Sequence, residues 1–278
     1  MISLVNPVVY SQAFAEGAAL LTRHARLVVE MARRELAQRY AGQFIGAVWI
    51  VGHPLFLTVL YVFLFSVVFK MKIGGTYDLP LDYTTYMLAG LIPWLSFQVA
   101  LSTSCLSILS NASLVKQFVF HLELLPAKDV LMALVSWFVG MPIVLVYVLL
   151  TQQIVYMTWL LLPLVFAVQV LAMLGAAFAL SAFSVFFRDL KDLVTLFVTI
   201  GLFLMPVVYL PDMVPRAFRP LLYLNPFSYM AWVYQDVLYF GRIEHPTAWI
   251  VFVLGGLAGF ALGYRVFRRL KPHFASAL

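Results

Sequence analysis

The chain has 278 residues, 64% hydrophobic and 11% charged, against roughly 45–50% and about 25% in soluble domains, so water is excluded as its main solvent. A formal charge of +6 would suggest nucleic acid as the partner of a soluble domain. In an apolar chain it reports orientation instead, because basic residues collect in loops on the cytoplasmic side of a membrane, and no nucleic-acid partner is expected.

Residues 1–46 read as a cytoplasmic tail. Ala13-Phe14-Ala15 mimics a leader-cleavage site, but no basic residue precedes it and Asn6-Pro7 interrupts the short apolar run, so an uncleaved segment is expected. Residues 20–55 organise the rest. At 100° per residue Leu20, Leu21, Ala25, Leu27, Val28, Met31, Ala32 and Leu36 share one arc, and Arg23, Arg26, Glu30, Arg33 and Arg34 share the opposite one. That pattern predicts an amphipathic helix lying flat on the membrane surface. Gly42 and Gly46 mark a bend into the first span.

Residues 47–264 form the transmembrane domain and 265–278 a cytoplasmic tail. Six spans fit, at about 47–69, 86–110, 130–150, 160–186, 193–210 and 247–264; residues 130–187 hold no Asp, Glu, Lys or Arg and are long enough for two crossings of a roughly 30 Å hydrocarbon layer. An even count puts both termini on one side. Most of the Lys and Arg lie in the two tails and in the second and fourth loops, leaving Lys70, Lys72, Arg216, Arg219 and Arg242 opposite, so both termini are expected in the cytoplasm. Between spans five and six, residues 211–246 are too apolar and aromatic for a solvated linker. Residues 221–240 are expected to re-enter the membrane against protein or a cavity, where irregular backbone is tolerated. Gly255, Gly259 and Gly263 form a small-residue stripe for close helix approach, within the subunit or between copies. The single cysteine, Cys105, permits no intramolecular disulfide.

Within the six spans the only side chain titrating near neutral pH is His53, and no buried carboxylate is expected; His53-Pro54 is either a local helix irregularity or a proton site. Ion-coupled carriers and membrane enzymes need ionisable or metal-ligating groups near the midplane, so no catalytic or metal site is expected. The pattern G-x-x-x-x-G-K-[ST] is absent, and any energy from ATP must come from another chain. The charged face of the surface helix and residues 111–129 then offer a docking surface for a soluble partner: Arg23, Arg26, Glu30, Arg33, Asn111, Lys116, Gln117, His121, Glu123 and Pro126. The arginine face would also attract anionic membrane lipids. Arg33, Arg34 and Arg39, with Tyr40, form a candidate cationic portal for a lipid diphosphate, since arginine makes forked hydrogen bonds to phosphate oxygens. The external aromatics, among them Tyr209, Tyr223, Phe227, Tyr229 and Trp232, are either an interfacial belt or the lining of a glycan pathway, where flat faces with polar handles suit sugar rings.

Several stretches in order resemble the membrane subunits of ABC-2 type polysaccharide exporters. Arg34-Glu35-Leu36-Ala37-Gln38-Arg39-Tyr40 with Gly46, Trp49 and Pro54-Leu55 is similar to that family's entrance signature, and 86–94 to its second-span opening. Residues 111–126, Phe187-Arg188-Asp189-Leu190, Pro206-Val207-Val208-Tyr209, Asn225-Pro226 and 267–272 complete the match. The resemblance implies a homodimeric channel in a bacterial inner membrane. It also implies two copies of a separate ATPase that bind ATP and Mg and touch the amphipathic helix and second loop. The implied cargo is a lipid-linked glycan such as O-antigen or capsule. Two departures stand out: Phe120-His121-Leu122-Glu123 replaces the usual F-P-R-E, and Tyr234-Gln235 stands where an arginine is usual. Export of a small hydrophobic compound is the alternative within transport. A transferase on lipid-linked sugars is the alternative outside it.

Overall fold

A computed structural model describes residues 7–39, 46, 48–68, 81–117 and 120–278. Every regular element among them is helical: α1 (Pro7–Arg23), α2 (Ala25–Arg39), α3 (Val48–Phe63), α4 (Tyr83–Ser104), α5 (Ala112–Gln117), α6 (Leu124–Gln152), α7 (Leu162–Phe186), α8 (Leu190–Gly201), α9 (Arg219–Leu224), α10 (Pro226–Gln235), α11 (Pro246–Leu270) and α12 (Phe274–Ala277). Four helical stretches are long and apolar enough to cross a membrane: Tyr83–Ser104, Leu124–Gln152, Met157–Phe186 and Pro246–Ala277. The chain is a multi-pass membrane protein. The stretches expected as the first and fifth spans hold shorter helices: the apolar α3 with a π-helical turn at Leu64–Val68, and α8 followed by a 3-10 turn at Leu202–Leu204; neither is among the four.

The core forms around α4, where Met87, Leu88, Ala89, Leu91 and Ile92 are fully buried. Against it lie α6, α7 and α10. Helices α7 and α11 run in the same direction: Gly256 meets Val168, Gly259 and Gly263 meet Gly175, and Phe267 meets Phe178. A methyl group on Gly175 would stand 2.4 Å from the Gly259 carbonyl carbon, so the backbones touch. The glycine stripe thus serves packing within the subunit at Gly263, whose own methyl group would stand 2.0 Å from Gly175 O, whereas one on Gly259 would meet nothing within 4 Å. At Gly255 a methyl group would meet nothing within 4 Å.

The amphipathic segment is two helices divided at His24, and α1 begins at Pro7 instead of near Leu20. Helix α1 lies on α11, with Gly17 close to Phe260 and Tyr264. Helix α2 packs on α6 with Val28 against Leu124 and Ala127; Val28 and Ala32 are 8% and 3% exposed. Leu27 and Val29 remain exposed. The bend before α3 is present at Gly46, whose φ of 54° is the left-handed conformation glycine tolerates. Gly42 lies outside the described residues, as do Lys70 and Lys72.

The expected docking segment 111–129 ends differently from its reading as a loop. Lys128 and Asp129 belong to α6, which starts at Leu124 because Pro126 in a first helical turn costs no hydrogen bond, and both side chains are 4% exposed. The expectation of no buried carboxylate concerned the six spans alone; outside those bounds Glu123, Asp129 and Asp236 are 3%, 3% and 0% exposed. Each sits at a helix end beside a partner: Lys271 for Glu123, Lys128 for Asp129, and His245 with Trp249 for Asp236. A carboxylate outside an apolar run is still buried when another segment folds over it with a matching donor.

Candidate functional site

Polar side chains gather at the two ends of the bundle. At one end α1, α2, the segment before α6 and the C-terminal tail converge. Glu123 accepts two hydrogen bonds of 2.9 Å from Lys271 Nζ, Glu16 pairs with Arg268, and Glu35 pairs with Lys128. The His24 and His121 rings lie 4.8 Å apart, which brings the α1–α2 junction onto the second loop. Between these elements is an open cavity of about 1080 Å³ lined in part by Glu16, Arg23, His24, His121, Glu123, Arg268 and Lys271.

Of the residues expected to dock a partner, Arg23, Arg26, Glu30, Arg33, Lys116 and His121 are exposed. Asn111 is half-buried and donates to the Ser107 carbonyl at 2.8 Å; Gln117 ends α5. Glu123 and Pro126 are buried and shape this surface from beneath. In the expected diphosphate portal Arg33 and Arg34 are exposed, Arg39 is the last residue of α2, and Tyr40 lies outside the described residues. Between the portal arginines, Glu35 turns the other way, toward α6.

At the opposite end the chain breaks after α8. Met205 is extended, and the carbonyls that a continuous helix would satisfy are taken by side chains from elsewhere. Asn225 Nδ2 donates to Leu204 O at 3.0 Å, Tyr86 OH and Gln235 Nε2 both donate to Pro206 O at 3.0 and 2.9 Å, and Tyr83 OH donates to Val208 O at 2.6 Å. Asn225 also caps α10 by accepting from Phe227 N. The departure Tyr234-Gln235 is thereby absorbed into the core. Gln235 holds the break, while Tyr234 OH donates to Gln169 Oε1 at 2.5 Å and accepts from Trp137 Nε1 at 3.1 Å.

The five aromatics expected on a pathway separate into groups. Tyr223 and Tyr229 each stand 5.4 Å from Trp232, which stacks at 5.6 Å on His245. Tyr223 is 55% exposed and Trp232 only 3%, so this stack runs from surface to interior. Phe227 packs with Trp94, Phe97 and Phe197, and Tyr209 OH donates to Phe203 O across the break. Sequence reasoning missed Tyr83, Tyr86 and Gln235 as the clasp on this break. The available signals were a proline inside an apolar run and two tyrosines three apart on one helix face.

Residues 26–239 match the ABC-2 type transporter family. A relative from Klebsiella pneumoniae, the O-antigen export system permease protein RfbA, is 27% identical over 253 residues, which cover 91% of this chain and 95% of the relative. A Myxococcus xanthus protein of the same name is 30% identical over 227 residues, 80% of this chain and 84% of the relative.

Proposed function

Because the chain belongs to the ABC-2 type transporter family, we propose that it is the channel-forming membrane subunit of an ATP-driven exporter of a lipid-linked polysaccharide of the O-antigen class. The observation that carries this is the near end-to-end match to O-antigen export permeases. In this reading two copies of the chain, each with six spans and a re-entrant α9–α10 segment, enclose the passage in a bacterial inner membrane with their termini in the cytoplasm. Two copies of a separate ATPase dock at the end that carries Arg23, Arg26, Arg33, Lys116 and His121. This chain makes and breaks no bonds; it moves cargo. Copurification with a separate ATPase and glycan export by the reconstituted assembly test the proposal. ATP hydrolysis by this polypeptide alone in liposomes would overturn it.

The exposed Arg33 and Arg34, with Arg39 at the helix end, support a role in gathering the diphosphate headgroup. Replacing all three with glutamine removes attraction worth about 1 kcal/mol per residue, so half-saturation by the lipid-linked substrate is expected to rise roughly 100-fold while the assembly stays intact. Unchanged substrate dependence of ATPase activity would sink the assignment.

Tyr223, the exposed end of the aromatic stack, is the natural first contact for sugar rings. Tyr223→Ala is expected to slow export by roughly three- to tenfold, the value of one aromatic contact, with no loss of ATPase binding. Loss of binding instead would show that the tyrosine serves packing.

A further inference from the structure

We propose that Glu35, Lys128 and Asp129 form a charged lock that makes the surface helix α2 and the span α6 move as one body. The inference rests on the reading that an ATPase acts on α2 from outside. Two side chains here break the pattern of the faces they occupy. Glu35 lies three residues after Ala32 and seven after Val28, on the arc of α2 that is seated on α6. Lys128 follows Leu124 by one turn and adjoins Ala127, both on the receiving face of α6. The two irregularities meet: Lys128 Nζ pairs with Glu35 and also donates to Asp129 Oδ1 at 3.0 Å. The Lys128 and Asp129 side chains are each 4% exposed and that of Glu35 37%.

Stability alone gives little reason for this arrangement, because burying an ion pair costs desolvation that hydrophobic residues of equal volume avoid. What charge adds is register. The contact of Val28 with Leu124 and Ala127 is between small or branched apolar groups, which exchange partners at modest cost. A slide of α2 by one turn, about 5.4 Å, would instead part Lys128 from Glu35 and leave the buried ammonium with Asp129 as its remaining partner. The lock therefore resists sliding along the helix axis, the direction in which an apolar contact is weakest.

The triple variant E35M/K128M/D129N removes every charge with little change in volume. It is expected to assemble with the ATPase, melt within about 4 °C of the parent and hydrolyse ATP, yet export about tenfold less glycan per ATP. Lys128→Arg, which keeps the charge, is expected to restore most of that yield. Spin labels at exposed Arg26 and Phe138 read the helix pair directly. The parent is expected to give one narrow distance distribution and the triple variant a broad one. If the triple variant does not fold, Glu35→Gln alone, at the most exposed member, is expected to broaden the distribution partway. A narrow distribution in the charge-free protein, undiminished export per ATP, or loss of ATPase binding in the triple variant would overturn the lock. Failure of the parent assembly to export glycan would overturn the transport reading instead and leave the distance result standing.

Discussion

Gly175→Val is expected to leave almost no folded protein in the membrane. A Cβ at this position would lie 2.4 Å from both the carbon and the oxygen of the Gly259 carbonyl and 2.6 Å from Phe260 N, and these are backbone atoms of another helix that cannot rotate away. Ordinary overpacking costs about 1–3 kcal/mol because side chains yield. Here α7 and α11 must part, and the edge-to-face contacts of Phe178 with Phe260, Tyr264 and Phe267 are lost with them. Gly263→Val is expected to behave the same way, since its Cβ would stand 2.0 Å from Gly175 O. Gly255→Val, whose added carbon meets nothing within 4 Å, is the control and is expected to be tolerated. Recovery of monodisperse protein in detergent distinguishes them, and a normal yield of Gly175→Val would show that the close approach is not required.

Asp236→Leu is the second substitution with a large expected cost. The carboxylate is fully buried and accepts from three donors: His245 N at 3.0 Å, His245 Nδ1 at 2.7 Å and Trp249 Nε1 at 2.9 Å. It fastens the end of the α10 region to the first turn of α11 and satisfies a backbone group there. Leucine leaves three half-buried donors without that acceptor, at up to about 1–3 kcal/mol each. The melting temperature of purified protein is expected to fall by more than about 6 °C, with Asp236→Asn intermediate because one carbonyl oxygen survives. Equal melting temperatures for all three proteins would refute this role.

The two substitutions differ in how far the sequence foretold them. Glycines at every fourth residue of α11 announce a close helix approach, and Gly263 and the backbone of Gly259 make it with Gly175, which carries no such signal in its own helix. The alternation of arginines and aliphatics in 20–36 similarly gives α2 its two faces. Asp236 was invisible in both respects: it follows Gln235 in an unremarkable run, and its partners lie nine and thirteen residues on, across a turn. Lys128 and Asp129 were misplaced for a related reason. Charges beside an apolar segment look like a loop until a carboxylate from α2, ninety-three positions earlier, is found to complete them. Periodicity reports which face a residue occupies, whereas ion pairing across the fold depends on segments whose approach the local pattern does not encode. Tyr83 and Tyr86 show the intermediate case, legible as one helix face but not as hydrogen-bond donors to carbonyls more than a hundred residues away.

The clasped carbonyls after α8 limit what that helix can do. For residues 204–208 to wind into a longer rod, Asn225, Tyr86, Gln235 and Tyr83 would have to release their acceptors together, leaving the Tyr86 hydroxyl and the Gln235 amide unpaired in the buried core. The segment is therefore an elbow pinned on its far side by α4 and α10. A change in the tilt of α8 must either hinge at that joint or break the bonds that hold it.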